Sequence, residues 1–120
     1  MEYFSMKHDE PTAFGFKLQV DKRVIGYISD TEYFEGLGTS FAGCDCLIIN
    51  CIKPVHDAYD GHLAVSDVIK LLKEAKPKEC IITHLGLKMH RMGASKEAEK
   101  ITEETGVKTT AAYDGLRVRL

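Results

Sequence analysis

The chain has no apolar run near the roughly 18 residues that a membrane-crossing helix needs. Its first residues, Met1-Glu2-Tyr3-Phe4-Ser5, have neither the basic opening nor the apolar middle of a secretory signal, so a cytoplasmic location is expected. It has no excess of charge of either sign: 16 Lys and Arg stand against 18 Asp and Glu, a net of −2. That argues against a DNA-binding module, a basic RNA grip or a membrane-surface patch. Four cysteines are present, Cys44, Cys46, Cys51 and Cys80, but no C-x-x-C pair of the zinc-ribbon kind. Burial is their expected role, since Cys46 and Cys51 flank the apolar run Leu47-Ile48-Ile49. A site built on Cys44, Cys46 and Cys51 is the lesser alternative, because strand alternation puts the first two on one face. Glycine-rich phosphate loops, nucleophile elbows and Cys/His dyads of recognisable spacing are also missing, and Ser29, Ser66 and Ser95 have no motif around them. Covalent serine catalysis is thereby disfavoured.

What is there suits an α/β fold. At 120 residues and 44% hydrophobic composition, the chain can bury a core as one domain or as half of one. Residues 15–20 and 23–29 read as two strands joined by Asp21-Lys22, close enough to pair as an antiparallel hairpin. Residues 31–41, with Gly36 and Gly38, read as a loop holding at most a short helical turn. Residues 46–50 are continuously apolar up to Asn50, as in a strand buried on both faces. From 63 to 75 the apolar residues Ala64, Val65, Val68, Ile69, Leu71, Leu72 and Ala75 recur with helical period, and Pro77 follows. Residues 79–83 make the next strand, so strand, helix and strand form a parallel crossover whose functional groups belong at the strands' C-terminal ends. A second helix is expected over 95–105, capped by Ser95 and stopped by Gly106. Residues 107–111 and 116–120 would close the fold as a strand pair around Tyr113-Asp114-Gly115.

Against that frame, polar residues of ligand or acid/base type fall at element boundaries. Ile81-Ile82-Thr83-His84-Leu85-Gly86 delivers His84 to a strand tip, Asp30 closes the 24–29 run, His62 opens the helical pattern, and His8 lies near the start. Taken singly, a histidine at a strand end more often satisfies a nearby carbonyl than binds a ligand. Together, neutral imidazoles and a carboxylate are the donors expected for zinc, manganese or iron, and a carboxylate can bridge two cations. The segment 56–62 adds His56, Asp57 and Asp60 as a second conceivable site, though a polar loop with a glycine is more often solvated. Lys88, His90 and Arg91 could touch a phosphate, or simply form a solvated basic turn.

Read in order, Lys7-His8, Phe14-Gly15-Phe16, Ile28-Ser29-Asp30-Thr31, Gly61-His62-Leu63, Ile82-Thr83-His84-Leu85 and Ala112-Tyr113-Asp114-Gly115 resemble the metallo-β-lactamase superfamily. Within it they resemble the branch of ribonuclease Z and the cyclic phosphodiesterase of phosphonate breakdown. No one of these words is specific; their order and separations over nearly the whole chain carry the likeness. The resemblance implies the C-terminal half of an αββα sandwich, with residues 1–120 as one half-domain. It implies a divalent metal, zinc first and manganese or iron as alternatives. Through it, His8 is expected to bind one metal, Asp30 to bridge both, His84 to bind the second, and His62 to help the leaving group depart. The expected reaction is hydrolysis of a phosphodiester, RNA or cyclic-nucleotide-like, by a metal-activated water.

Two departures qualify that expectation. The family's His-x-His-x-Asp-His motif is absent, since no two histidines stand two apart, so this chain should need an N-terminal-half partner or self-association. Asn50 also stands where ribonuclease Z-like members often carry an acidic residue near the leaving-group histidine. A non-catalytic binding or assembly module, indifferent to chelators, is the alternative from another class. A small-molecule ester or lactone hydrolase of the same superfamily is the other.

Overall fold

A computed structural model describes residues 1–8, 13–54 and 61–120. The alternative site on His56, Asp57 and Asp60 lies outside the described residues. In chain order the elements are β1 (Glu2–Ser5), β2 (Phe14–Val20), β3 (Arg23–Ile28), α1 (Leu37–Ser40), β4 (Cys46–Asn50), α2 (Val65–Ala75), β5 (Glu79–Thr83), α3 (Leu87–Met92), α4 (Ala94–Thr105) and β6 (Lys108–Ala111). One sheet runs β1-β2-β3-β4-β5-β6, each strand beside its sequence neighbour. The first three strands are antiparallel, and β3, β4, β5 and β6 are parallel. The expected hairpin and crossover are both present.

Local chemistry accounts for the ends of α2. The Asp67 carboxylate accepts the Ala64 N–H at 2.9 Å, replacing the side-chain cap that alanine cannot supply. Lys76 leaves the helix with φ +47, its N–H bonded to the Leu72 carbonyl, and Pro77 prevents continuation. The second long helix starts at Ala94 behind Gly93, one residue before the expected Ser95 cap, and ends at Gly106 as expected.

The sheet is covered on one face. Leu47 and Ile49 of β4, Cys80 and Ile82 of β5 and Ile28 of β3 share a buried cluster with Val68, Leu72, Met89 and Ile101. Every buried apolar side chain of the four helices joins that cluster. The alternate residues, among them Phe16, Leu18, Ile25, Tyr27, Ile48 and Ile81, belong to the opposite face by the two-residue period. Phe16 stands opposite Tyr27 and Leu18 opposite Ile25 there. On the same face Tyr3, Phe14 and Val20 are 65%, 48% and 46% exposed.

Three elements differ from the sequence expectation. Glu2–Ser5 forms an edge strand, and Leu87–Met92 is a short helix where a basic turn was the bland reading. Residues 116–120 form no strand. The Leu116 N–H closes a turn on the Tyr113 carbonyl, and residues 116–119 then border a cavity of about 360 Å³ with Glu79, Lys108 and Thr110. These last three residues belong to the less covered face, so the tail lies over that face rather than along the edge of β6.

Candidate metal centre

The parallel strands β3, β4 and β5 end side by side, with Ile28 opposite Ile49 and Asn50 opposite Thr83. Asp30 lies two residues beyond β3 and His84 one residue beyond β5, so the common register brings them to one edge. His84 adopts φ +56, a left-handed conformation that costs a non-glycine residue about 1–2 kcal/mol. The turn is held by the Cys51 N–H on the Thr83 carbonyl and by the Gly86 N–H on the Ile52 carbonyl, at 2.9 and 2.8 Å. A Cβ on Gly86 would lie 2.5 Å from the Ile52 oxygen, so glycine is needed for this close approach.

His8 and His62 arrive by other routes. The Lys7 N–H donates to Thr31 Oγ1 at 2.9 Å, the Glu32 N–H donates to the Lys7 carbonyl at 2.8 Å, and Lys7 Nζ pairs with Glu32 Oε1 at 2.7 Å. These bonds tie the segment before His8 to the loop after Asp30, with Thr31 fully buried between them. Glu32 also accepts the Gly61 N–H at 3.3 Å, which places His62. Gly61 has φ +80, and a Cβ there would meet His8 Cδ2 at 2.8 Å, so this glycine is required by both conformation and space.

The outcome is a cluster of donors. His8, Asp30 and His62 each offer a ligand atom, all within 4.8 Å of one another. His62 Nδ1 is 3.7 Å from Asp30 Oδ1, and His84 Nε2 is 3.4 Å from the same oxygen. The His8 and His62 rings meet edge to face at 5.3 Å between centroids, and the His62 and His84 rings stack at 6.1 Å. All four residues named from the sequence therefore gather. The trio of mutually close donors contains His62, the expected proton donor, rather than His84, which approaches the same Asp30 oxygen as His62 and is 49% exposed at the side chain.

This donor set fits a divalent metal. Imidazole and carboxylate groups that come this close together offer the nitrogen and oxygen donors that a divalent cation takes. His8, Asp30 and His62 are half-buried and His84 is exposed, which leaves access for a substrate. Beside His84, a cavity of about 460 Å³ is lined by Thr83, His84, Leu85, His90, Ala112, Tyr113 and Asp114. Lys88 is not among those residues. Beside Asp30, a second of about 300 Å³ is lined by His8, Ala13, Phe14, Phe16, Tyr27, Ser29 and Asp30.

Sequence reasoning missed two parts of this arrangement. Glu32, which joins the His8 and His62 segments, carried no motif. Asn50 was placed beside His62 in role, yet its Nδ2 donates to Asp30 Oδ1 at 3.0 Å while its Oδ1 accepts from Tyr27 Oη at 3.1 Å. The strand register, Tyr27 opposite Ile48 and next to Asn50 on one face, was the available signal.

Known proteins share this frame. The pattern of the beta-lactamase superfamily domain matches residues 2–85. Uncharacterized protein MJ1374 of Methanocaldococcus jannaschii is 37% identical over 116 residues, which is 95% of this chain and 43% of that protein. The chain thus spans less than half the length of that curated relative. The crystal structure of Zn(2+)-bound PqqB from Methylobacterium extorquens superposes with a TM-score of 0.77 at 18% identity, over 98% of this chain and 49% of PqqB. A new diphosphatase from the PhnP family gives 0.66 at 17% identity, over 96% of this chain and 41% of the diphosphatase. At such identity the structural likeness establishes the fold, and with the match over residues 2–85 the chain belongs to the beta-lactamase superfamily, of whose fold it forms a part.

Proposed function

We propose that this chain is one half of a metal-dependent hydrolase that cleaves a phosphodiester, with the His-x-His-x-Asp-His half supplied by further sequence or another chain. The observation that carries the reading is the convergence of His8, Asp30, His62 and His84 at one sheet edge. The likeness to a zinc-bound protein and to a diphosphatase supports metal and phosphoester chemistry.

In this reading His8, Asp30 and His84 hold metal, zinc first and manganese or iron as alternatives. A bound divalent ion supplies Lewis-acid activation of water and neutralises charge on the phosphoryl oxygens. Asp30, whose carboxylate has two oxygens, would be the ligand shared with both His8 and His84. His62, stacked on His84 and edge-on to His8, holds a proton for the departing oxygen. The cavity beside His84 receives the substrate.

The uncovered sheet face is the docking surface for the missing half. Apolar side chains of β1 and β2 lie open there, and the superfamily relative of known length has more than half its residues outside the matched region.

The test is reconstitution. The chain alone should not hydrolyse bis-p-nitrophenyl phosphate. Mixed with a chain bearing the missing motif, it should do so in a manner abolished by a chelator and restored by zinc. Turnover that survives chelation, or metal-dependent turnover of a lactone panel with none of the phosphodiester, would overturn the reading.

A further inference from the structure

Asn50 and Tyr27 have no part in the scheme above, yet they lead to its central carboxylate. Asn50 closes β4 at 9% exposure, and its Nδ2 stands 3.0 Å from Asp30 Oδ1. The two imidazole nitrogens near that oxygen are farther off, at 3.4 and 3.7 Å, beyond ordinary hydrogen-bond length. On its other side the Asn50 carboxamide accepts from Tyr27 Oη at 3.1 Å. Tyr27 lies in β3 on the open sheet face, with the Phe16 ring 5.6 Å away.

Resting on the proposed metal centre, we propose that Asn50 is the positioning residue for Asp30, and that Tyr27 anchors the oxygen of its carboxamide. The open sheet face is thereby linked to the candidate ligand by two hydrogen bonds. The chemistry allows one arrangement. An ionised carboxylate only accepts, so the amide nitrogen must face Asp30. The amide oxygen then faces Tyr27, and the phenol must donate. Turning the amide over would set its oxygen against an anion and lose the bond to Asp30.

Asp30 needs such support because it stands two residues past the end of β3, where no ladder bond orients its side chain. Holding one carboxylate oxygen from β4 fixes the rotamer while leaving lone pairs for a cation, as outer groups do for metal ligands generally. A partner that covers the open face would pack on Tyr27 and Phe16, lock the phenol and so tighten Asp30. Docking of the missing half and metal affinity would then reinforce each other.

The experiment is an optical titration of the full chain with Co²⁺, followed by the visible d–d band, for wild type, Asn50→Leu and Tyr27→Phe. Asn50→Leu should weaken binding about 10- to 100-fold and alter the band, with the thermal melt retained. Tyr27→Phe should weaken it by a smaller factor. Wild-type-like affinity and band in a folded Asn50→Leu chain would overturn the proposal. If that variant does not fold, Tyr27→Phe decides, and unchanged affinity overturns. Proton NMR of the metal-free chain separates this proposal from the metal reading. One Asn50 Nδ2 proton should resonate downfield and move upfield in Asp30→Ala, even if wild type takes up no Co²⁺. Both Asn50 protons at free-carboxamide positions, unmoved by Asp30→Ala, would overturn the relay whatever the metal result.

Discussion

Asp30 Oδ1 has Asn50 Nδ2, His84 Nε2 and His62 Nδ1 at 3.0, 3.4 and 3.7 Å, so three side chains from three segments answer to one atom. The two histidines should respond differently to removal. In the reconstituted enzyme, His84→Ala should lose metal, whereas His62→Ala should lower turnover about 100-fold or more with metal content kept. Metal analysis beside rate measurement checks this, and equal loss of metal would make His62 a ligand, as its place in the tight trio with His8 allows. Gly61→Ala should act on His8, since the new methyl would sit 2.8 Å from its ring at φ +80. The expected outcome is about 1–2 kcal/mol of lost stability in a urea melt together with weaker metal binding. The four cysteines, all free, should be inert in the folded chain. Burial raises the Cys46 thiol to about 11 and the Cys51 thiol to about 12, and pushes Cys44 and Cys80 up as well. Ellman's reagent at pH 8 should therefore label them only on unfolding. Legibility was uneven at this scale. Histidines and an aspartate at strand ends announce themselves by type and place. Asn50 and Glu32 act through register and loop contacts that a linear pattern does not display.

Elements were legible where a period was long enough to count. The apolar stripe of α2, the continuous run of β4 and the two-residue turn between β2 and β3 each have a local cause, and each formed. Residues 116–120 alternate well enough to suggest a strand, but a partner's edge decides pairing, and residues 116–119 border a cavity beside Glu79, Lys108 and Thr110 instead. β1 spans only four residues, and α3 only six, too short for periodicity to stand out. The loop after Asp30 is fastened to α2 by the Tyr33 hydroxyl, which donates to Glu74 Oε1 at 2.5 Å, while Lys70 Nζ lies 4.3 Å over the Tyr33 ring. That bond to Glu74, aided by burial, raises the Tyr33 phenol from 10.0 to about 12. Because the folded chain holds this proton more tightly than the unfolded one, the stabilisation is complete below pH 10 and is lost as pH rises toward 12. Melts across that window should show a shallower alkaline decline for Tyr33→Phe than for wild type. Equal slopes would mean the bond to Glu74 does not persist in solution.

At the scale of the whole molecule and among the described residues, one face of the sheet has its helices and the other has the tail near β6. At about 25 cal/mol per Å², some 400 Å² of apolar surface left in water forgoes about 10 kcal/mol, comparable with a domain's net stability. The chain alone should therefore self-associate at low micromolar concentration in the ultracentrifuge, or bind a hydrophobic dye, and both should diminish when the missing half is added. A well-melting monomer that ignores the dye would contradict this. The proposed half-fold reading bears equally on the candidate metal centre, where four candidate donors gather and no two histidines of the chain stand two apart. The most direct test is the zinc content of the purified chain, titrated to saturation and then dialysed against a mild chelator, beside Asp30→Ala. At most one zinc per protomer, loosely held, stripped by the chelator and absent in Asp30→Ala, is the predicted result; two zinc ions per chain that survive dialysis, or none bound at saturation, would contradict it.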